Sequence, residues 1–92
     1  REIDFLGRYG CEEFVILLPE ASKKSSIEVA ERLRGAIANL RVSTIIGEAG
    51  ITASIGVCQP EPAQSDLGRL IDRAGLLLHE AKKKGRNQVA VP

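Results

Sequence analysis

With 92 residues, 43% hydrophobic and 27% charged, the chain has the composition of one small folded domain with a modest core. Its 13 Lys and Arg against 12 Asp and Glu leave a net charge of +1, which excludes a generally basic surface and gives no reason to expect DNA or RNA as a partner. The two cysteines have neither metal-ligand spacing nor a disulfide framework, and no apolar run could span a bilayer, so the expected setting is reduced and cytoplasmic, without membrane contact by this segment.

In chain order, the first expected unit is a hairpin in which Ile3 to Leu6 pairs with Phe14 to Leu18 across a turn containing Gly7 and Gly10. Pro19 ends its second strand. From Lys23 to Leu40, the recurrence of Ile27, Ala30, Leu33, Ile37 and Leu40 at helical spacing predicts an amphipathic helix capped by Ser22. A second hairpin is expected from Arg41 to Ile46 and Ile51 to Val57, turning at Gly47-Glu48-Ala49-Gly50, with Ile51, Ala53, Ile55 and Val57 alternating as in a half-buried strand. Within it, Gly56 permits close packing.

Gln59 to Gln64, with Pro60 and Pro62, reads as a loop. A second helix is predicted from Asp66 to Lys84, capped by Ser65, with Leu67, Leu70, Ile71, Ala74, Leu78 and Ala81 facing inward and Gly85 as its stop. A short strand, Gln88 to Val91, closes the chain. This order predicts an α+β fold of ferredoxin-like or palm type, an antiparallel-rich sheet with two helices. Because the chain enters a strand directly at Arg1, it reads as a piece of something longer.

Chemistry gathers in the turn Arg8-Tyr9-Gly10-Cys11-Glu12-Glu13-Phe14. Glycine lets a backbone approach a bulky ligand, and adjacent carboxylates suit a hard divalent cation carrying phosphates. The plain alternative is a hairpin turn with solvated glutamates. At the other end, Ala81-Lys82-Lys83-Lys84-Gly85-Arg86-Asn87 puts Lys82 and Arg86 a helical turn apart, where two cations suit a polyanion. Lysines at a helix C-terminus also simply complement its dipole. His79 has no cysteine or second histidine beside it and reads as a partly buried aromatic substitute, not a ligand.

These motifs, with Thr52-Ala53-Ser54-Ile55-Gly56-Val57 and Arg1-x-x-Asp4, together resemble the GGDEF family, the bacterial diguanylate cyclases that join two GTP molecules into cyclic di-GMP. The resemblance runs from Arg1 to about Val91. It implies that residues 1–92 are a partial GGDEF domain lacking its N-terminal part, inactive as a separate piece. It further implies a nucleotidyltransferase that uses Mg²⁺ (or Mn²⁺) and works as a homodimer, with an N-terminal sensory or regulatory domain in the parent chain.

Residue by residue, the resemblance gives Gly10 and Cys11 to the substrate phosphates and Glu12 to the metal beside the attacking hydroxyl. Glu13 becomes a second metal carboxylate or a structural anchor. Lys82 and Arg86 fall to the triphosphate, and Arg1, Asp4 and Arg32 to an inhibitory site for cyclic di-GMP. Cys11 departs from the family's second glycine, and a side chain there adds bulk beside a phosphate. The alternative reading is therefore a degenerate module that binds cyclic di-GMP or GTP and relays a signal. Gly75 and His79 are further departures, standing where the family usually has aspartate and tyrosine.

Overall fold

The computed structural model describes residues 5–8, 13–19, 21–60 and 66–92. Strands β1 (Phe5–Arg8) and β2 (Phe14–Leu17) form an antiparallel hairpin in the register Phe5 to Leu17 and Arg8 to Phe14. Phe5 and Leu6 pair as the sequence predicts, but Gly7 and Arg8, expected in the turn, extend β1 opposite Val15 and Phe14, while Ile3 and Asp4 lie outside the described residues.

Helix α1 (Lys23–Ala38) starts where Ser22, in extended conformation, turns its Oγ to accept the Ser25 amide at 3.0 Å. That bond satisfies one of the amides that every helix leaves unpaired at its first turn. Ser26, buried, returns its hydroxyl to the Ser22 carbonyl at 2.9 Å. At the far end the Arg41 guanidinium donates to the Ala38 and Leu40 carbonyls, closing the C-terminus with a cation. Leu40 lies beyond the helix and is 53% exposed, so the apolar stripe stops at Ile37 and Ala38.

The second hairpin differs from its expected form. Strands β3 (Val42–Thr44) and β4 (Gly47–Ala49) pair antiparallel, so the turn is Ile45-Ile46 and the segment expected to turn is itself a strand. Gly47, at φ 125°, takes the left-handed backbone that closes so tight a loop, and the Thr44 hydroxyl donates to its carbonyl. Every residue from Asn39 to Thr52 is exposed, Ile51 included.

Strand β5 (Ile55–Gly56) does not join that hairpin; it pairs parallel with β6 (Val89–Ala90). A parallel pair needs a crossover, and helix α2 (Leu67–Lys83) supplies it. Most of the expected loop before that helix, from Glu61 to Gln64, lies outside the described residues, as does Ser65. The α2 cap is Asp66, not Ser65: the Asp66 carboxylate accepts the Gly68 amide at 2.8 Å. Leu67, in the first turn, is half exposed, and the stripe through Leu70, Ala74, Leu78 and Ala81 faces inward. His79 is exposed rather than partly buried, because it lies off that stripe.

The fold is α+β, with two antiparallel strand pairs and one parallel pair among the described residues. Both β5 and β6 lie against α2, and β6 also meets α1. Their meeting is made by small residues. Ala30 and Ala81 are the buried apolar side chains among the described residues, and no large side chain there is fully buried. Gly56 is the tightest point, since a Cβ on it would overlap the Ala74 carbonyl and stand 2.5 Å from the Leu78 amide nitrogen.

Candidate functional site

The end of α2 is built from its own unpaired carbonyls. Beyond the cap Lys84, Gly85 adopts φ 121°, its amide reaches the Lys82 carbonyl, and the Arg86 amide donates to the Ala81 carbonyl at 3.0 Å. This doubly bonded reversal is the Schellman motif, and its left-handed position is why glycine stands there. Arg86 and Asn87 then continue in left-handed backbone, at φ 63° and 50°. For non-glycine residues that conformation costs about 1–2 kcal/mol each, so neighbouring groups must hold it.

Three side chains do so. The Gln88 amide donates to the Lys84 and Arg86 carbonyls, each at 3.2 Å. Ser54 Oγ, from the segment entering β5, accepts the Asn87 amide at 3.1 Å. Arg34, on α1, donates from Nη1 to Asn87 Oδ1 at 2.8 Å while its Nε and Nη2 face the Glu31 carboxylate. The result is a braced turn with half-buried Lys82 on one flank and exposed Arg86 on the other.

Of the residues singled out in sequence, Lys82 and Arg86 are thus brought to one end of α2. Arg32 is exposed on α1, two positions before Arg34, and Glu13 is half-buried immediately before β2. Gly10, Cys11, Glu12, Arg1 and Asp4 lie outside the described residues. The bracing residues are not legible in sequence as site residues. Glu31 and Arg34 have the spacing of a helical ion pair, but nothing local links Arg34 to Asn87, 53 positions away.

Of the acidic turn, Glu13 is the carboxylate that the described residues offer to a divalent cation. Among the described residues no group of three or more His, Cys, Asp and Glu is assembled. Magnesium needs no protein cage: it is commonly held by one or two carboxylates, with substrate phosphates and water completing the octahedron.

A concavity of about 230 Å³ opens at the opposite end of the β5–β6 pair and is lined by Lys23, Ile27, Val57, Cys58, Arg73 and Val91 among others. Arg73 donates to the Gln59 carbonyl at 2.9 Å, and the Cys58 thiol reaches the Leu70 carbonyl at 3.4 Å. Burial pushes the Cys58 thiol above its ordinary value of 9.0, with the Arg73 charge pulling the other way. The unfolded chain therefore releases this proton first, so the thiol's contribution to stability is whole below that value and fades as pH rises through the raised one. Urea midpoints should accordingly fall on the alkaline side, and Cys58→Ser should remove part of that fall; equal slopes in the two proteins would contradict it.

The family model described as "Diguanylate cyclase, GGDEF domain" matches residues 1–88. The chain belongs to the GGDEF family. GGDEF relatives include diguanylate cyclase DosC of Escherichia coli K12, 37% identical over 97% of this chain and 19% of that protein. Another is diguanylate cyclase DgcP of Pseudomonas aeruginosa, 36% identical over 99% of this chain and 13% of that protein. The chain thus spans less than a fifth of the length of either.

Solved GGDEF structures agree with the fold. The active GGEEF domain of a diguanylate cyclase from Vibrio cholerae superposes with a TM-score of 0.85 at 28% identity, over 95% of this chain and 55% of that one. Diguanylate cyclase SiaD of Pseudomonas aeruginosa, solved with its activator SiaC, superposes with a TM-score of 0.90 at 33% identity, over all of this chain and 35% of that one. Among the described residues of this GGDEF chain, no helix is long and apolar enough to cross a membrane.

Proposed function

We propose that the protein carrying this chain is a diguanylate cyclase that condenses two GTP molecules into cyclic di-GMP with release of pyrophosphate. The observation that carries the reading is the family match over residues 1–88, supported by relatives that are themselves named diguanylate cyclases. Residues 1–92 are the part of the cyclase domain that holds the acidic turn and the cationic end of α2.

In this reading Glu12 and Glu13 hold Mg²⁺ (or Mn²⁺), Gly10 and Cys11 line the passage of the phosphates, and Lys82 and Arg86 grip the triphosphate. The metal, when bound, supplies charge neutralisation at the phosphate oxygens during attack on the α-phosphate. The chain's own cations steady the leaving pyrophosphate from a turn that is braced beforehand, so little reorganisation accompanies the reaction. Two protomers each bring one GTP, so the working unit is a homodimer. Arg1, Asp4 and Arg32 bind the product as a brake: the guanidinium groups pair with base edges or phosphate, and the carboxylate accepts from guanine. A sensory or regulatory domain elsewhere in the protein sets the activity, and the use of GTP assigns the module to the cytoplasm.

Two hydrogen bonds tie the segments at the two ends of α1 to the β5–β6 pair. Gln59, just past β5, donates to the Ala21 carbonyl, so the exit of β2 lies at the C-terminal end of β5. Arg34, near the other end of α1, meets Asn87 at the entrance of β6.

A second reading is favoured by Cys11, which stands where the family has glycine: a module that binds nucleotide and relays a signal without turnover. Incubating the intact protein with GTP and Mg²⁺ separates the two. Cyclic di-GMP is the expected product, and GTP binding without product would overturn the cyclase reading. If Cys11 obstructs a phosphate, Cys11→Gly should raise turnover.

A further inference from the structure

The geometry points to Arg34 as a positioning residue that fixes the direction of Arg86 by holding Asn87 in left-handed backbone. This deepens the cyclase reading and rests on it for the role of Arg86 as a phosphate ligand.

Consecutive left-handed residues do not persist without external restraint, and arginine has no intrinsic taste for that region. Asn87 is the point at which restraint is applied, from two elements remote in sequence. Its amide donates to Ser54 Oγ at 3.1 Å, and its side-chain oxygen accepts from Arg34 Nη1 at 2.8 Å. The second bond is short and charge-assisted. A guanidinium carries only donors, so the asparagine oxygen must be the atom that faces it.

Arg34 is itself aimed. Its Nε and Nη2 lie 3.2–3.4 Å from the Glu31 carboxylate one turn back on α1, which leaves Nη1 directed at the turn. Such use of several donors in one plane is available to arginine and not to lysine. Because β6 is fixed on β5, a rotation of the Asn87 backbone towards the right-handed region has to be absorbed at Arg86, whose own left-handed backbone sets the direction of its side chain. Among the described residues, exposed Arg86 is tied through its main chain, at its amide and its carbonyl, so the direction of its side chain follows the backbone.

The test measures binding of α,β-methylene-GTP with Mg²⁺ to the intact protein by calorimetry, with a thermal melt of every variant. Arg34→Ala should weaken binding by about tenfold. Asn87→Gly should weaken it similarly, since glycine tolerates the left-handed backbone but, without the acceptor, is no longer held in it. Asn87→Asp should retain affinity, because its carboxylate accepts from the same guanidinium. Added to Arg86→Ala, the Arg34→Ala change should cause no further loss, the non-additivity expected of residues acting through one another.

Each failure has its own signature. If Arg86→Ala leaves affinity unchanged, the phosphate-ligand reading falls and takes the positioning role with it. If Arg86→Ala weakens binding but Arg34→Ala and Asn87→Gly do not, the positioning role alone is overturned. A lower melting temperature with unaltered affinity would likewise reduce Arg34 to a structural tie. Should Arg34→Ala fail to fold, the comparison of Asn87→Gly with Asn87→Asp decides, and equal affinities in those two would refute the proposal.

Discussion

Replacing Gly56 with alanine is expected to lower the melting temperature by at least about 12 °C, the fall that roughly 3 kcal/mol produces in a domain of this size. The added methyl would overlap the Ala74 carbonyl, stand 2.5 Å from the Leu78 nitrogen and 3.0 Å from Leu77 Cβ. Two of those three obstacles are helix backbone, which cannot rotate away as a side chain can. Relief would require α2 to lift from β5, and β6 is bound to both. Gly75→Ala gives the contrast: nothing lies within 4 Å of its would-be Cβ, so the change should stabilise the helix by up to about 1 kcal/mol. Thermal or urea melts check both, and a Gly56→Ala protein melting with the parent would contradict the close approach of strand and helix.

The second large effect concerns the cations at the end of α2. Charge-assisted hydrogen bonds are worth about 1.5–3 kcal/mol each, so removing two should weaken GTP binding by about 10²-fold or more. The double variant Lys82→Ala with Arg86→Ala should show that loss in calorimetry, while each single change gives about a tenfold effect. Arg86→Lys should recover only part of the affinity, because an ammonium offers a point charge and not a fork. The salt dependence should shallow in parallel, since fewer fixed cations then face the phosphates. Undiminished affinity in the double variant would remove both residues from the nucleotide site.

Much of the fold is legible because it obeys local rules. Ser22 and Gly85 announce helix ends through chemistry that acts within a few residues, and the stripe of α2 is plain in Leu70, Ala74, Leu78 and Ala81. Close packing at Gly56 is legible too, since a glycine inside an alternating strand marks a bulge or the near approach of another backbone. The second hairpin misleads for a physical reason. Its glycine-bearing segment looks like a loop and its isoleucines look like a strand, yet the structure turns at Ile45-Ile46 and pairs Gly47 to Ala49. The left-handed backbone at Gly47 that closes this turn leaves no periodic trace.

The parallel pairing of β5 with β6 is equally hidden, because its partners are separated by an entire helix. The candidate site divides in the same manner. Lys82 and Arg86 stand out from the glycine between them, whereas Arg34 and Ser54 become relevant only when the fold brings α1 and the approach to β5 against Asn87. Asp66 displaces Ser65 as the α2 cap by a single position, a shift that composition cannot resolve when both residues are good caps.

The pairing of Ile55–Gly56 with Val89–Ala90 also sets an order of events during synthesis. A nascent chain can close the β3–β4 hairpin as soon as Ala49 has left the ribosome, but β5 has no ladder partner until α2 and the residues after it have emerged. Until then Gly56 has no helix to fit against and Ser54 has no Asn87 to receive. The braced turn that presents Arg86 therefore forms only after β6 has emerged, later than the β3–β4 hairpin.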